Sequence, residues 1–163
     1  MASLKKQKMQ NNKRYTIEEV LLLQGKYVGP TVGVSMQPLL QTHRDTVVIA
    51  SKTERLKPLD VALYKRGEDY VLHRVLEVTD WGYIIRGDNC YSDERIKEDA
   101  VIGVLTEFFR KGKHVSCDDK KYLRYVYRRL KTYPIRRVYV RVKHAIFVRI
   151  KKVICFFFPK KNG

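Results

Sequence analysis

The chain has 163 residues and a formal net charge of +17, and 44% of its residues are hydrophobic. This length fits one domain with an appendage, and the apolar content is enough for a packed core. The charge is uneven, because residues 1–110 carry 17 Lys/Arg against 15 Asp/Glu, whereas residues 111–163 carry 17 against 2. A near-neutral body with a basic C-terminal third favours attraction to an anionic surface.

Cysteine spacing and apolar run length exclude several classes of protein. Cys90, Cys117 and Cys155 are far apart and form no C-x-x-C pair, so neither a disulfide framework nor a zinc site is predicted, and no cofactor is expected. The apolar run that follows the basic N-terminus covers only residues 20–23. A membrane-crossing helix needs about 20 apolar residues. We therefore expect no signal peptide and no transmembrane helix, and we predict a cytoplasmic protein.

The N-terminal part of the chain predicts one short helix. Residues 1–14 are polar and basic and are predicted to be disordered. Thr16 and Glu19 have the spacing of a capping box, which predicts a helix that runs through Leu23 and ends near Gly25.

From residue 45 to about 115 the apolar pattern changes to a period of two, which is typical of strands. Before it, Gly29-Pro30 predicts a turn ahead of an extended approach over residues 31–34. Asp80-Trp81-Gly82 predicts a hairpin turn. Short strands with frequent turn signals predict a mainly β domain, built as a small barrel or sandwich. The strand candidates are residues 46–50, 61–64, 70–78, 83–86 and 101–105 and the region around Phe108 and Phe109.

The basic C-terminal third predicts two helices. Asp118-Asp119 can cap a helix over residues 120–131, and Pro134 suits the first turn of a second helix. In the second helix, apolar residues recur at helical spacing with basic residues between them, and three phenylalanines close the pattern. We therefore divide the chain into a disordered N-terminus (1–14), a β domain (15–117) and a basic amphipathic helical tail (118–163).

Three residues in chain order suggest nucleophilic catalysis. Ser35 follows an extended segment at a predicted turn, where its backbone N–H can point at an oxyanion. His73 lies within a predicted strand and has a side chain suited to general-base catalysis near neutral pH. Asp93 is the candidate that orients the imidazole.

These residues lie in segments that resemble the signal peptidase I superfamily over about residues 30–112. Ser35-Met36-Gln37-Pro38 is similar to its nucleophile box, His73-Arg74-Val75 to its base segment and Gly87-Asp88-Asn89 to its Gly-Asp-Asn box. The remaining matches are Arg44-Asp45-Thr46-Val47-Val48-Ile49, Leu59-Asp60-Val61-Ala62-Leu63-Tyr64, Asp93-Glu94-Arg95 and Ile102-Gly103-Val104. With a histidine in the base segment, the chain resembles the branch of this superfamily that is found in the endoplasmic reticulum, the archaea and some Gram-positive bacteria, where His replaces the general-base Lys.

The resemblance implies a signal-peptidase-like serine endopeptidase with Ser35 as nucleophile, His73 as general base and Asp93 as the supporting acid. Glu94 is the alternative acid, because the family often has a second acidic or small residue at that position. It implies a leader or membrane-proximal peptide, or a precursor protein, as substrate, and it gives Asp88 a role in shaping the loop. Signal peptidases commonly carry a serine two residues before the nucleophile, where this chain has Gly33, so oxyanion stabilisation would rest on backbone N–H groups.

Other functions stay open beside the peptidase. A catalytically weak peptide-binding or scaffold protein would keep the same fold, whereas a self-cleaving repressor would need a DNA-binding domain for which the first ~30 residues are too few. For residues 134–158 we expect attachment to an anionic membrane surface. Nucleic acid binding is the less favoured partner because the tail carries no DNA-binding motif, and a helical hairpin packed on the β domain is the remaining alternative.

Overall fold

The computed structural model describes residues 15–157 of the chain, without the side chains of residues 144–145 and 151–157. The predicted disorder of residues 1–14 therefore lies outside the described residues, as does the end of the tail from residue 158 onwards. Within the described part, no helix is both long and apolar enough to cross a membrane.

The described chain is mainly β, with one helix before the strands and two after them. The strands are β1 (Lys26–Pro30), β2 (Thr46–Ser51), β3 (Val61–Arg66), β4 (Asp69–Thr79), β5 (Gly82–Arg86), β6 (Glu94–Lys97), β7 (Val101–Arg110) and β8 (Lys113–Ser116). The helices are α1 (Ile17–Gln24), α2 (Lys120–Lys131) and α3 (Tyr133–Phe157), and a short 3₁₀ turn covers Glu98–Ala100. A mainly β fold with a short N-terminal helix was predicted, and the structure confirms it.

All eight strands belong to one open antiparallel sheet. Its order is β1-β2-β7-β3-β4-β5-β6, and β8 pairs with β7 as a hairpin. The long strand β7 thus joins β2 to β3, two strands that are neighbours in sequence but not in the sheet. Closure into a barrel or sandwich stays a prediction.

The helix α1 begins and ends where the sequence predicted. The Thr16 hydroxyl accepts from the Glu19 N–H, and the Glu19 carboxylate accepts from the Thr16 N–H at 2.8 Å, which completes a capping box. Gly25 ends the helix with φ +69°, a left-handed conformation that a glycine adopts without a Cβ clash.

Of two turns predicted from the sequence, one is confirmed and one is wrong. Residues 80–81 form the tight connection between β4 and β5, as predicted. Gly29-Pro30 was predicted as a turn, and this was wrong, because both residues end strand β1 and pair with Val47 and Thr46. Proline is tolerated there because β1 is the terminal strand of the sheet order, where a missing N–H costs no ladder bond on the open side.

One face of β3, β4 and β5 carries a buried hydrophobic cluster. The buried cluster consists of Leu56, Ala62, Tyr64, Val75, Tyr83, Ile85 and Val101. Its members on β3, β4 and β5 alternate with residues of the opposite face, as the pleat of a strand requires. The site described below lies on the same face, beside Tyr64.

The chain divides into two compact units between Tyr122 and Leu123. The first contains the sheet, α1 and the first residues of α2, and the second contains the rest of α2 and all of α3.

Candidate active site

Ser35 lies in a turn between β1 and β2, where the sequence predicted it. The turn is held by the Gly-Asp-Asn loop that follows β5, because the Asn89 N–H donates to the Ser35 carbonyl at 2.7 Å. The Asn89 side chain also donates to the Val34 carbonyl at 3.2 Å. Gly33 has φ +92°, so the chain bends just before Ser35 in a conformation that favours glycine.

Asp45 fixes the end of the segment that runs from the Ser35 turn to β2. Its buried carboxylate accepts two hydrogen bonds from Arg44 at 2.7 Å and one from the Gln41 N–H at 2.8 Å. Burial opposes ionisation of Asp45, but these bonds outweigh it and hold its pKa below the usual value. The charged Asp45 thus anchors the segment that leads from Ser35 into β2.

His73 lies in the middle of β4 and is only 2% exposed. It pairs with Ala62 on β3, so Tyr64 and Arg66, two and four residues further along β3, lie on the same face of the sheet. On the other side of β4, Val75 pairs with Ile85, and Ile85 pairs with Glu94 on β6. The pairing therefore brings side chains of two other strands, β3 and β6, to the imidazole.

The Nδ1 edge of His73 faces two oxygen atoms. Glu94 Oε1 lies 3.2 Å from Nδ1, and the Tyr64 hydroxyl oxygen lies 3.3 Å from it. The Tyr64 hydroxyl donates its own proton to Glu94 Oε2 at 2.7 Å, and Arg66 also donates to Glu94 and to Tyr64. Both neighbours of Nδ1 are therefore acceptors, which places the proton of the neutral imidazole on Nδ1.

The opposite edge of His73 faces the Ser35 turn. A Cβ placed on Gly87 would lie 2.7 Å from the Ser35 carbonyl oxygen, 3.0 Å from His73 Nε2 and 2.8 Å from Cys90 Sγ. The three atoms crowd the position that a Cβ of residue 87 would occupy, so only a glycine fits between His73 and the Ser35 turn. Nε2, with its free lone pair, is thus the nitrogen directed towards Ser35.

Burial and charge set the protonation of His73. Burial lowers its pKa, Glu94 opposes this, and Arg66 adds to it, so the net pKa lies below the usual value of a histidine. Burial also opposes ionisation of Glu94, but the hydrogen bonds from Tyr64 and Arg66 outweigh it, and the pKa of Glu94 lies below its usual value. At neutral pH the site therefore holds a neutral imidazole beside a carboxylate.

Asp93, the first choice for the acidic partner, does not contact His73. Its carboxylate pairs with Arg86 at 2.9 Å and is half exposed. Asp93 lies just before β6, and only Glu94, which pairs with Ile85, is placed by the sheet on the face that carries His73. Glu94, the alternative predicted from the sequence, occupies that place.

A buried ion pair joins the base strand to the Gly-Asp-Asn loop. Arg74 Nε and Nη2 each donate to a carboxylate oxygen of Asp88 at 2.8 Å, and both side chains are at most 3% exposed. Arg74 Nη1 donates to the Leu59 carbonyl at 2.9 Å and to the Tyr122 hydroxyl at 3.0 Å. Arg74 lies on the face opposite His73 and fixes the loop whose Asn89 holds Ser35.

Sequence reasoning did not identify Tyr64, Arg66, Leu59 or Tyr122 as parts of this environment. For Tyr64 a signal was present, because it lies on the predicted strand 61–64, next in sequence to the predicted strand of His73, whereas Arg66 lies beyond the end predicted for that strand. Using it requires the strand pairing and its register, which the sequence does not state.

The chemistry available is that of an imidazole and a serine-bearing turn on either side of Gly87. His73 has the tautomer and the charge state that a general base needs. Ser35 is half-buried, and among residues 15–157 neither its hydroxyl nor its N–H makes a hydrogen bond. In the comparisons with known proteins, no family model, no curated protein and no solved structure matches this chain.

Proposed function

We propose that the protein is a serine endopeptidase with Ser35 as nucleophile and His73 as general base. The observation that carries the proposal is the orientation of His73, whose Nδ1 lies 3.2 Å from a Glu94 carboxylate oxygen while Nε2 faces the Ser35 turn across Gly87. Glu94 takes the supporting role for which Asp93 was first proposed. The signal-peptidase-like barrel or sandwich predicted from the sequence belongs to the same proposal.

The proposed reaction is an acyl transfer in two halves. The Ser35 hydroxyl attacks the scissile carbonyl and passes its proton to His73 Nε2, and the Glu94 carboxylate stabilises the imidazolium that forms. The Ser35 N–H, which makes no hydrogen bond within the described residues, is available to the oxyanion. His73 then protonates the leaving amine, and water hydrolyses the acyl-enzyme with His73 again as base.

The reaction requires a movement of the serine side chain. No hydrogen bond joins Ser35 Oγ to His73 Nε2 among the described residues. Catalytic hydrogen bonds are often long without substrate and tighten when substrate binds. A rotation about χ1 of Ser35, driven by peptide binding, would complete the pair.

The proposed substrate is a leader-bearing or membrane-proximal peptide, bound in an extended conformation along a strand edge. Small residues next to the scissile bond are expected from the resemblance to the signal peptidase I superfamily. The basis for the substrate class is that resemblance, whereas the basis for the chemistry is the geometry around His73.

A peptide-binding or scaffold protein with little turnover is the second candidate. It is favoured by the missing hydrogen bond between the Ser35 hydroxyl and His73 in the described part of the chain, and by Gly33 at the position of a second oxyanion donor. This candidate predicts peptide affinity without a covalent intermediate.

Active-site labelling separates the two candidates. The protein is treated with a serine-reactive phosphonate, and in parallel with β-lactam and lipopeptide-type inhibitors of signal peptidases, and adducts are mapped by mass spectrometry. Modification of Ser35 that disappears in Ser35→Ala and in His73→Ala is expected for the peptidase. Ser92→Ala and His114→Ala, at exposed positions, are matched controls that keep the labelling. No adduct with any reagent would favour the binding protein.

A further inference from the structure

The helix α3 carries an apolar stripe that faces solvent. Six apolar residues fall within an arc of about 120° at 100° per residue, the width of one face of an amphipathic helix. Each of them is more than half exposed: Ile135, Val138, Tyr139, Val142, Ile146 and Ile150. A monomer that leaves such a row of large apolar side chains in water carries an interaction surface.

The charge around this stripe has one sign. Five Lys/Arg residues lie between residues 135 and 150, the stretch that the stripe spans, and the sequence contains no acidic residue after Asp119. Arg136 and Lys143 border the stripe on one side, Arg137 and Arg141 lie behind it, and Arg149 lies within it. The surface therefore complements a partner that is both apolar and anionic.

We infer that α3 binds the surface of an anionic phospholipid bilayer, lying parallel to it with the apolar stripe in the interface. The helix is 25 residues long, which corresponds to ~37 Å along the surface. The long basic side chains beside and within the stripe extend to lipid phosphates while their aliphatic parts stay among the acyl chains. A nucleic acid would use the same charges but would leave the apolar stripe in water.

Vesicle co-sedimentation of the full-length protein tests this inference. Vesicles of phosphatidylcholine alone are compared with vesicles that contain about 30 mol% phosphatidylglycerol, at low and at high salt. Binding is expected only with phosphatidylglycerol and is expected to weaken with salt, because screening removes the electrostatic attraction. Each basic residue near an anionic bilayer strengthens binding by about fivefold, so Lys143→Gln with Arg149→Gln, which lie beside and within the stripe, should weaken it by about 25-fold.

The apolar stripe is tested separately from the charge. Val142→Gln with Ile146→Gln should weaken vesicle binding by about tenfold or more, although the net charge is unchanged. Glutamine is a good helix former, and circular dichroism verifies that each variant keeps the helical content of the wild type.

Matched variants on the sheet and on α1 complete the design. Lys65→Gln with Lys97→Gln removes the same charge from exposed positions of the sheet, and Leu22→Gln with Leu23→Gln removes exposed apolar side chains from α1. Both pairs should keep binding within about twofold of the wild type, since surface changes away from a site have small effects.

Three outcomes would overturn the inference. The first is equal binding to both kinds of vesicle, and the second is binding that Val142→Gln with Ile146→Gln leaves unchanged. The third is binding to a DNA or RNA oligonucleotide that only Lys143→Gln with Arg149→Gln weakens, with no binding to phosphatidylglycerol vesicles.

Discussion

The replacement Glu94→Gln tests which carboxylate supports His73. The substituted glutamine keeps the size of the side chain and an oxygen that can accept from Nδ1, but it removes the negative charge. Because Glu94 raises the pKa of His73 against the effect of burial, its neutralisation should lower that pKa further. Asp93→Asn is the matched control, since Asp93 is the adjacent residue and pairs with Arg86 instead.

The size of the effect follows from the 3.2 Å that separates His73 Nδ1 from Glu94 Oε1. Coulomb's law at that distance gives ~1.3 kcal/mol in water and ~5 kcal/mol at an effective dielectric constant of 20, which bracket ~1 to ~4 pKa units. The carboxylate is 30% exposed to solvent, so the lower half of this interval applies. We expect Glu94→Gln to lower the pKa of His73 by about 1–2 units and Asp93→Asn to change it by about 0.3 units or less.

The pKa is measured by NMR titration of protein with ¹³C-labelled histidine, and the signal of His73 is identified by its loss in His73→Gln. This measurement does not depend on catalytic activity. Arg66→Met gives the opposite sign, because Arg66 lowers the pKa of His73 and its removal should raise it. If activity is found, Glu94→Gln should move the acidic limb of kcat/KM to lower pH and reduce the plateau by about 10- to 100-fold, as ~1–2 pKa units of lost imidazolium stabilisation imply.

A raised or unchanged pKa of His73 in Glu94→Gln would refute the role of the Glu94 charge beside the imidazole. A larger shift in Asp93→Asn would also refute it, since the charge that governs the imidazole would then come from the residue that pairs with Arg86.

Three further predictions concern stability and the site. Arg74→Met leaves the Asp88 carboxylate buried without its partner and should destabilise the protein by about 3–5 kcal/mol in urea unfolding, whereas the double change Arg74→Met with Asp88→Leu should recover a large part of the loss; a double variant no more stable than the single one would contradict the pairing. Gly87→Ala introduces a methyl group 3.0 Å from His73 Nε2 and should abolish labelling of the site while circular dichroism shows a retained fold, and full labelling would contradict the position of the base. Thr16→Ala removes the capping box of α1 and should cost ~1 kcal/mol of unfolding free energy, with an unchanged urea midpoint as the result against it.

Local patterns were sufficient for much of the fold. The capping box of Thr16 and Glu19, the hairpin turn at residues 80–81 and the period-two runs depend on neighbours in the sequence, and each was found where it was predicted. Gly29-Pro30 was not, because the two residues read as a turn locally while strand β2 pairs with them from a distance.

The sequence alone also placed Ser35 in a turn and His73 in a strand, and it separated a near-neutral domain from a basic tail. It could not choose between Asp93 and Glu94, because that choice depends on which face of β6 meets the imidazole. Register across β3, β4, β5 and β6 decides it, and the same register brings Tyr64 and Arg66 to the site. Pairings between distant segments depend on the packing of the whole sheet, which no local pattern encodes. The tertiary structure alone therefore determined the environment of His73.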